Sequence, residues 1–370
     1  MADRLRVGII GRTGKGNYGH GIDTVWANVP ETEVVAVADE HDAGRRDAQK
    51  RTKAATAYAS YAEMLDKEHL DIVAIGPRWI DQHRDMAVAT ARHNCHVYME
   101  KPFVPTPAQA DEVIRECEMR HIKLALAHQT HYSPTAILAR QLIREGQIGD
   151  LLELRGRGKE DARGGGEDLW VLGSHVLDLM RFFAGDAIDC YATVTNKGES
   201  IVPASLIEGN EGVGLLTGDA IHARYTFENG VVGTFDSVRG KGINPSRFGL
   251  QIYGSKGILE IGTGYPAPVW LLKDPAWSPG RSGTSWQQVT SAGIGEPEPI
   301  KNGGLDAGNV AAVKDLLAAI RDDRQPACSM YDGRAIVEMI TAVFASARDS
   351  KPVKFPLAEL GNPLARMTLP

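Results

Sequence analysis

The chain has 370 residues, long for one hydrophobic core and ample for two domains. Hydrophobic residues make up 43%, charged residues 24%, and the formal net charge is −6; Lys and Arg form no stripe beyond pairs such as Arg45-Arg46. That balance argues against nucleic acid or a membrane as partner, and no apolar stretch approaches the ~20 residues of a span.

The opening MADRLRVGIIG carries too short an apolar run for a secretory leader. Cys95, Cys117, Cys190 and Cys328 form no CxxC pair, so reduced thiols and a cytoplasmic location are expected. From the N-terminus, apolar runs at 4–11, 33–39, 71–76, 95–100 and 123–127 are continuous, as in strands buried on both faces. Helical patterns at 42–52, 61–68, 81–93 and 107–120 lie between them. The last opens on Thr106 as N-cap, Pro107 at the first helical position and Gln109 closing a capping box. Such alternation predicts βαβ units and a parallel sheet over 1–127.

After Pro134 the pattern changes. A helix over 135–145, a strand over 151–157, a glycine-rich loop over 158–168 and a helix over 172–183 are followed by strands from 189 to 272. Asn229-Gly230 predicts a type I′ hairpin and residues 254–257 another tight turn. Residues 274–308 read as a long loop carrying Trp277 and Trp286, which pack either in their own core or against a neighbouring subunit. Two helices, 309–321 and 331–349, close the chain. The second domain, 128–370, is therefore expected to be α+β with a large, mostly antiparallel sheet.

The first strand runs into Gly11-Arg12-Thr13-Gly14-Lys15-Gly16-Asn17-Tyr18-Gly19, in which Gly14, Gly16 and Gly19 fit G-x-G-x-x-G. Glycines there bring backbone N–H groups to a pyrophosphate at the start of the next helix. Asp39 closes the second apolar run, where an acidic side chain accepts from an adenosine ribose and repels a 2′-phosphate. NAD is the expected cofactor, while Arg45 and Arg46 leave NADP open. Glu100-Lys101-Pro102 ends another strand, and Lys101 is either a group that fixes a substrate hydroxyl or a surface Lys paired with Glu100. His175 has the pKa range for proton transfer near neutrality, with Asp178 one turn on to orient it. The alternative is a buried His satisfied by a carbonyl.

These residues resemble the Gfo/Idh/MocA oxidoreductases (glucose–fructose oxidoreductase, inositol dehydrogenase and relatives). The likeness lies in residues 8–19 and 35–39, Pro77 with His83, Glu100-Lys101-Pro102 and Tyr132-Ser133-Pro134. It continues through Gly173-Ser174-His175-Val176-Leu177-Asp178, Asp332-Gly333 and Ser346. The resemblance implies hydride transfer between a nicotinamide and a secondary alcohol of a sugar or polyol. Lys101 would then orient substrate and nicotinamide, and His175 would take the hydroxyl proton. It also implies cofactor contacts from Gly11, Thr13, Gly14, Gly16, Gly19, Asp39, Pro77, Glu100 and Lys101, and a homodimer or homotetramer.

Three departures stand out: a longer phosphate turn, Val171 where members carry an Asp, and Gln129-Thr130-His131 in place of Asn-x-Arg. The acidic pair Glu167-Asp168 is either a substitute for that Asp or a helix cap, and Trp170 either a platform for a sugar face or a core residue. Asp168, Trp170 and Asp178 are the candidate substrate contacts. The departures leave room for a glycosidase or lyase that oxidises its sugar transiently on retained NAD, or for a non-catalytic NAD-binding protein. His128 with His131, and His93 with Cys95 and His96, lack the spacing of a metal site, so none is expected. His83 is expected to start or cap the helix that follows Gly76.

Overall fold

In the computed structural model, which describes residues 4–368, the strand β1 (Leu5–Ile10) is buried along most of its length and pairs on both sides. Its neighbours are β2 (Thr32–Ala38) and β4 (Ile72–Ile75). β3 (Thr56–Tyr58), β5 (His96–Met99) and β6 (Leu124–Leu126) complete a six-stranded sheet ordered 3-2-1-4-5-6. All of its pairings are parallel. Strands of this kind are apolar throughout because both faces are covered. Helices α1 (Asp42–Thr52), α2 (Tyr61–Lys67), α3 (His83–Arg92) and α4 (Pro107–Glu118) make the crossovers.

The order reverses between β1 and β4, which is where a sheet of this order takes a dinucleotide. At the start of α4, Thr106 accepts from the Gln109 N–H at 3.3 Å, but the Gln109 side-chain oxygen is buried with no hydrogen-bond partner among the described residues. Half of the expected capping box is therefore made. β3 is too short to show a sequence pattern of its own.

The chain divides into two units. The first comprises Met1–Gln129, Asn210–Gly214 and Leu305–Val337; the second comprises Thr130–Gly209, Leu215–Gly304 and Glu338–Pro370. In the first, helix Leu305–Arg321 buries Asn309, whose side chain joins Tyr98, Gln129 and the carbonyl of His20.

The second unit is built on an 11-stranded, mostly antiparallel sheet. Its central strand β7 (Leu151–Arg157) runs parallel to Val232–Val238 and antiparallel to Gly249–Gly254. Strand β8 (Ala187–Asn196) alternates buried and exposed residues, as expected where one face is covered. Helix α5 (Pro134–Arg144) precedes β7. The predicted helix over 172–183 is α7 (Gly173–Ala184); a further short helix, α6 (Gly166–Val171), begins inside the predicted glycine-rich loop and ends at Leu172. Val176 and Met180 of α7 pack over Gly156.

The hairpin around Asn229-Gly230 forms, but Phe227 and Val231 close a three-residue loop in which only Gly230 takes positive φ. A type I′ turn needs two such residues, so the turn is of the bulged kind. The predicted long loop also carries structure, a short helix Pro279–Ser282 and strands Gln287–Thr290 and Gly293–Ile294. Trp277 and Trp286 pack against Tyr253, Ile258 and Leu272 of their own sheet. The Trp277 ring N–H donates to the Gly254 carbonyl at 2.8 Å. No helix among the described residues is long and apolar enough to cross a membrane.

Candidate functional site

The glycine turn does not lead into an α-helix. Residues 13–24 are turns, and a 3-10 helix follows at Val25–Asn28. Arg12 and Asn17 instead close a small hairpin, each N–H bonded to the other's carbonyl at 2.9 and 3.0 Å. This turn is three residues longer than G-x-G-x-x-G directly after a strand, and the extra residues form that hairpin. The helix dipole expected at the phosphate site is thus absent from the first crossover.

Gly16 and Gly19 explain why glycine is required. A β-carbon on Gly16 would collide with the backbone nitrogen of Arg78, and φ there is +84°. On Gly19, at φ +65°, it would lie 2.5 Å from the Gly76 carbonyl oxygen and 2.7 Å from Glu100 Cγ. The turn therefore lies directly on the carboxyl end of β4, with backbone close enough to meet a ligand.

Asp39 is only 2% exposed. Its carboxylate accepts from Thr13 Oγ1 at 2.7 Å, from the Thr13 N–H at 3.1 Å and from the His41 N–H at 2.9 Å. Asp39 thus clasps the glycine turn at the carboxyl end of β2. Beside it a pocket at the carboxyl ends of β1 and β2 is bounded by Gly11, Arg12, Asp39, Glu40, Tyr61 and Met86. Arg45 and Arg46 are both tied to Asp42, and Arg45 also donates to the Asp39 carbonyl. An acidic rim, a glycine-lined turn and apolar walls fit the adenosine half of NAD.

At the other end of the sheet Glu100 follows β5 and is 0% exposed. One carboxylate oxygen takes the His20 N–H at 3.0 Å and His20 Nδ1; the other takes the Lys101 N–H at 2.8 Å. Burial alone would raise the Glu100 carboxyl, but these hydrogen bonds and the charges of His20 and Lys101 hold it below the usual range. Lys101 is buried and joined to Pro102 by a cis peptide bond. His83 begins α3, as its position suggested, and is wholly buried. Its Nε2 lies 2.7 Å from the Pro77 carbonyl and its Nδ1 2.9 Å from that of Phe103. It fastens the Pro77 segment to the segment that carries Lys101.

In the second unit α7 presents His175, half-buried, while Asp178 is buried and paired with His131 Nδ1 at 3.1 Å. Spacing on the helix suggested His175 as the partner of Asp178; His131 comes from a segment 47 residues away and could not be read from it. Asp168 is 0% exposed and accepts from the Glu160 N–H at 3.0 Å and the Ser237 hydroxyl at 2.6 Å. Its other oxygen has no hydrogen-bond partner among the described residues. Glu167 and Asp168 lie inside α6 and the N-cap position of α7 belongs to Leu172, so neither caps the predicted helix. Trp170 is 4% exposed and Val171 is buried beside it.

The remaining candidates are engaged locally. His93 bonds the Ala89 carbonyl and Asp66, His96 accepts from the Lys123 N–H, and Cys95 donates to the Leu70 carbonyl. All four cysteines are buried, and none is in a disulfide among the described residues. Residues that sequence reasoning passed over are His20, directly after the last glycine of the turn, Asn309, and His131 as the partner of Asp178. Only His20 had a signal, its place beside Gly19.

Residues 5–128 match the family described as oxidoreductase family, NAD-binding Rossmann fold, and residues 140–355 its C-terminal alpha/beta domain. The chain is 24% identical over 362 residues to D-apiose dehydrogenase of Paraburkholderia graminis, covering 93% of this chain and 88% of that one. Levoglucosan dehydrogenase of Pseudarthrobacter phenanthrenivorans is 22% identical over 260 residues, 62% of this chain and 65% of its own. A levoglucosan dehydrogenase structure in complex with NADH and L-sorbose superposes with a TM-score of 0.77 at 19% identity, over 96% of this chain and 100% of that one.

Proposed function

This chain belongs to the Gfo/Idh/MocA family of NAD-binding oxidoreductases, and we propose that it dehydrogenates a secondary alcohol of a sugar or polyol. The observation that carries the reading is the Glu100-Lys101 step at the carboxyl end of β5, a buried lysine whose peptide is pinned by a buried carboxylate. Similarity along most of the chain to D-apiose dehydrogenase supports a sugar as substrate.

When bound, NAD supplies the hydride acceptor, and its adenosine and diphosphate fit the Asp39 rim and the 11–19 turn. Gly11, Thr13, Gly14, Gly16 and Gly19 form that turn, and Pro77 and Glu100 bound its far end. Lys101 holds its ammonium against the substrate oxygen and stabilises the negative charge that develops there. His175 takes the hydroxyl proton. Asp178 fixes His131 in one ring orientation, so that this imidazole reads a second hydroxyl of the sugar. Asp168 and Trp170, both buried in the second unit, are further proposed substrate contacts. The protein is proposed to act on a small molecule in the cytoplasm as a homodimer or homotetramer.

The test is a panel of aldoses, anhydrosugars and polyols with NAD, following NADH formation, with Lys101→Ala and His175→Ala alongside. The proposal expects kcat to fall by ~10²–10⁴ in each variant, the usual share of general acid–base catalysis. Sugar consumption without net NADH would move the reading to a glycosidase or lyase with transient oxidation.

A further inference from the structure

His20 is held at three of its four polar groups. Its N–H donates to Glu100 Oε1 at 3.0 Å, and its Nδ1 meets the same carboxylate oxygen. Its carbonyl accepts from Asn309 Nδ2 at 2.7 Å. Asn309 is itself fully buried and accepts at its own oxygen from Tyr98 Oη and Gln129 Nε2, both at 2.8 Å. The close approach of Gly19 to Glu100 Cγ lets the backbone deliver His20 there. The fourth group, Nε2, has no partner among the described residues, although the side chain is 35% exposed. Fixing a side chain costs rotamer entropy, so a ring locked on one nitrogen with the other left open is pre-organised for a ligand.

The tautomer follows from the partners. A carboxylate only accepts, so the hydrogen bond at Nδ1 places a proton there and leaves Nε2 as the ring's open polar atom. The ring stands beside the carboxyl end of β5. In a sheet of this order the adenosine half lies by β2 and Asp39, and the nicotinamide half on the β4–β5 side. That half carries hydroxyl and amide donors. We propose that the His20–Glu100 pair is a binding element for the nicotinamide riboside half of the cofactor, with His20 Nε2 hydrogen-bonded to it. The proposal rests on the family's NAD binding and adds a residue outside the glycine and Glu-Lys-Pro motifs. His20 is also placed to keep Glu100 ionised and the Lys101 peptide fixed, which couples cofactor occupancy to the lysine proposed for catalysis.

The experiment is calorimetric titration of the full chain with NADH and with ADP, which lacks the nicotinamide riboside. His20→Asn is compared with wild type, because an Asn amide can still donate to Glu100 in place of Nδ1 but offers nothing at Nε2. The expected result is NADH affinity about tenfold weaker in His20→Asn with ADP affinity unchanged, the scale of one hydrogen bond. Unchanged ADP binding also shows that the turn has kept its fold. Equal weakening of both ligands, or no change in either, overturns the proposal. If wild type binds neither, the cofactor reading itself fails, a result distinct from the other two.

Discussion

Asp39→Asn separates the two tasks placed on one buried carboxylate. Three donors converge on it, the Thr13 hydroxyl, the Thr13 N–H and the His41 N–H. An asparagine of the same shape keeps one oxygen. If that oxygen stays with Thr13, the new NH₂ faces the His41 N–H, and two donors oppose each other in a site where Asp39 is 2% exposed. An unmet buried donor costs about 1–3 kcal/mol, and loss of the charge weakens the remaining bonds. The apo turn should therefore loosen by about 2–3 kcal/mol. If the formed turn is what NADH binds, affinity should drop by about 30- to 150-fold. NADPH should lose less, because the carboxylate that repels a 2′-phosphate is gone. Titration with both nucleotides reads the effect. Wild-type NADH affinity in Asp39→Asn, or equal losses for NADH and NADPH, would refute the reasoning.

Further outcomes follow from the same structure. Glu100 binds its proton more weakly when folded than when unfolded, so it adds stability above the unfolded pKa of ~4.3, and that contribution fades as pH falls through the lower folded value. Thermal melts of Glu100→Gln should therefore show a flatter pH dependence below about pH 4 than wild type. Gly16→Ala must adopt positive φ and push against the Arg78 backbone. It should cost at least the ~1–2 kcal/mol of the left-handed conformation and weaken NADH at least tenfold, measured by melting and titration. Burial pushes the Cys95 and Cys117 thiols up to about 12. Native protein at neutral pH should resist alkylation while denatured protein takes four labels, counted by mass spectrometry.

Much of the first unit was legible because doubly covered parallel strands write themselves as unbroken apolar runs, as in Ile72–Ile75 and Leu124–Leu126. The missing helix after Gly19 was not legible. Gly14, Gly16 and Gly19 satisfy the spacing of a phosphate turn whether the next residues coil into a helix or, as here, follow an Arg12–Asn17 hairpin. Helix α6 was not legible because it begins at Gly166, the last of three consecutive glycines that read as a loop. The polar pairs His20 with Glu100, in the first unit, and His131 with Asp178, in the second, join residues 80 and 47 positions apart, and no local pattern reports such a contact. Asn309 acts across 289 positions, and its effect on His20 emerges only once helix Leu305–Arg321 is placed in the first unit.

The most direct test of the account is NADH formation from NAD over the sugar and polyol panel, in wild type and in Lys101→Ala. Net NADH with at least one sugar, lowered by ~10² or more in the variant, is the predicted result. Full turnover by Lys101→Ala, or sugar conversion with no net NADH, would contradict it.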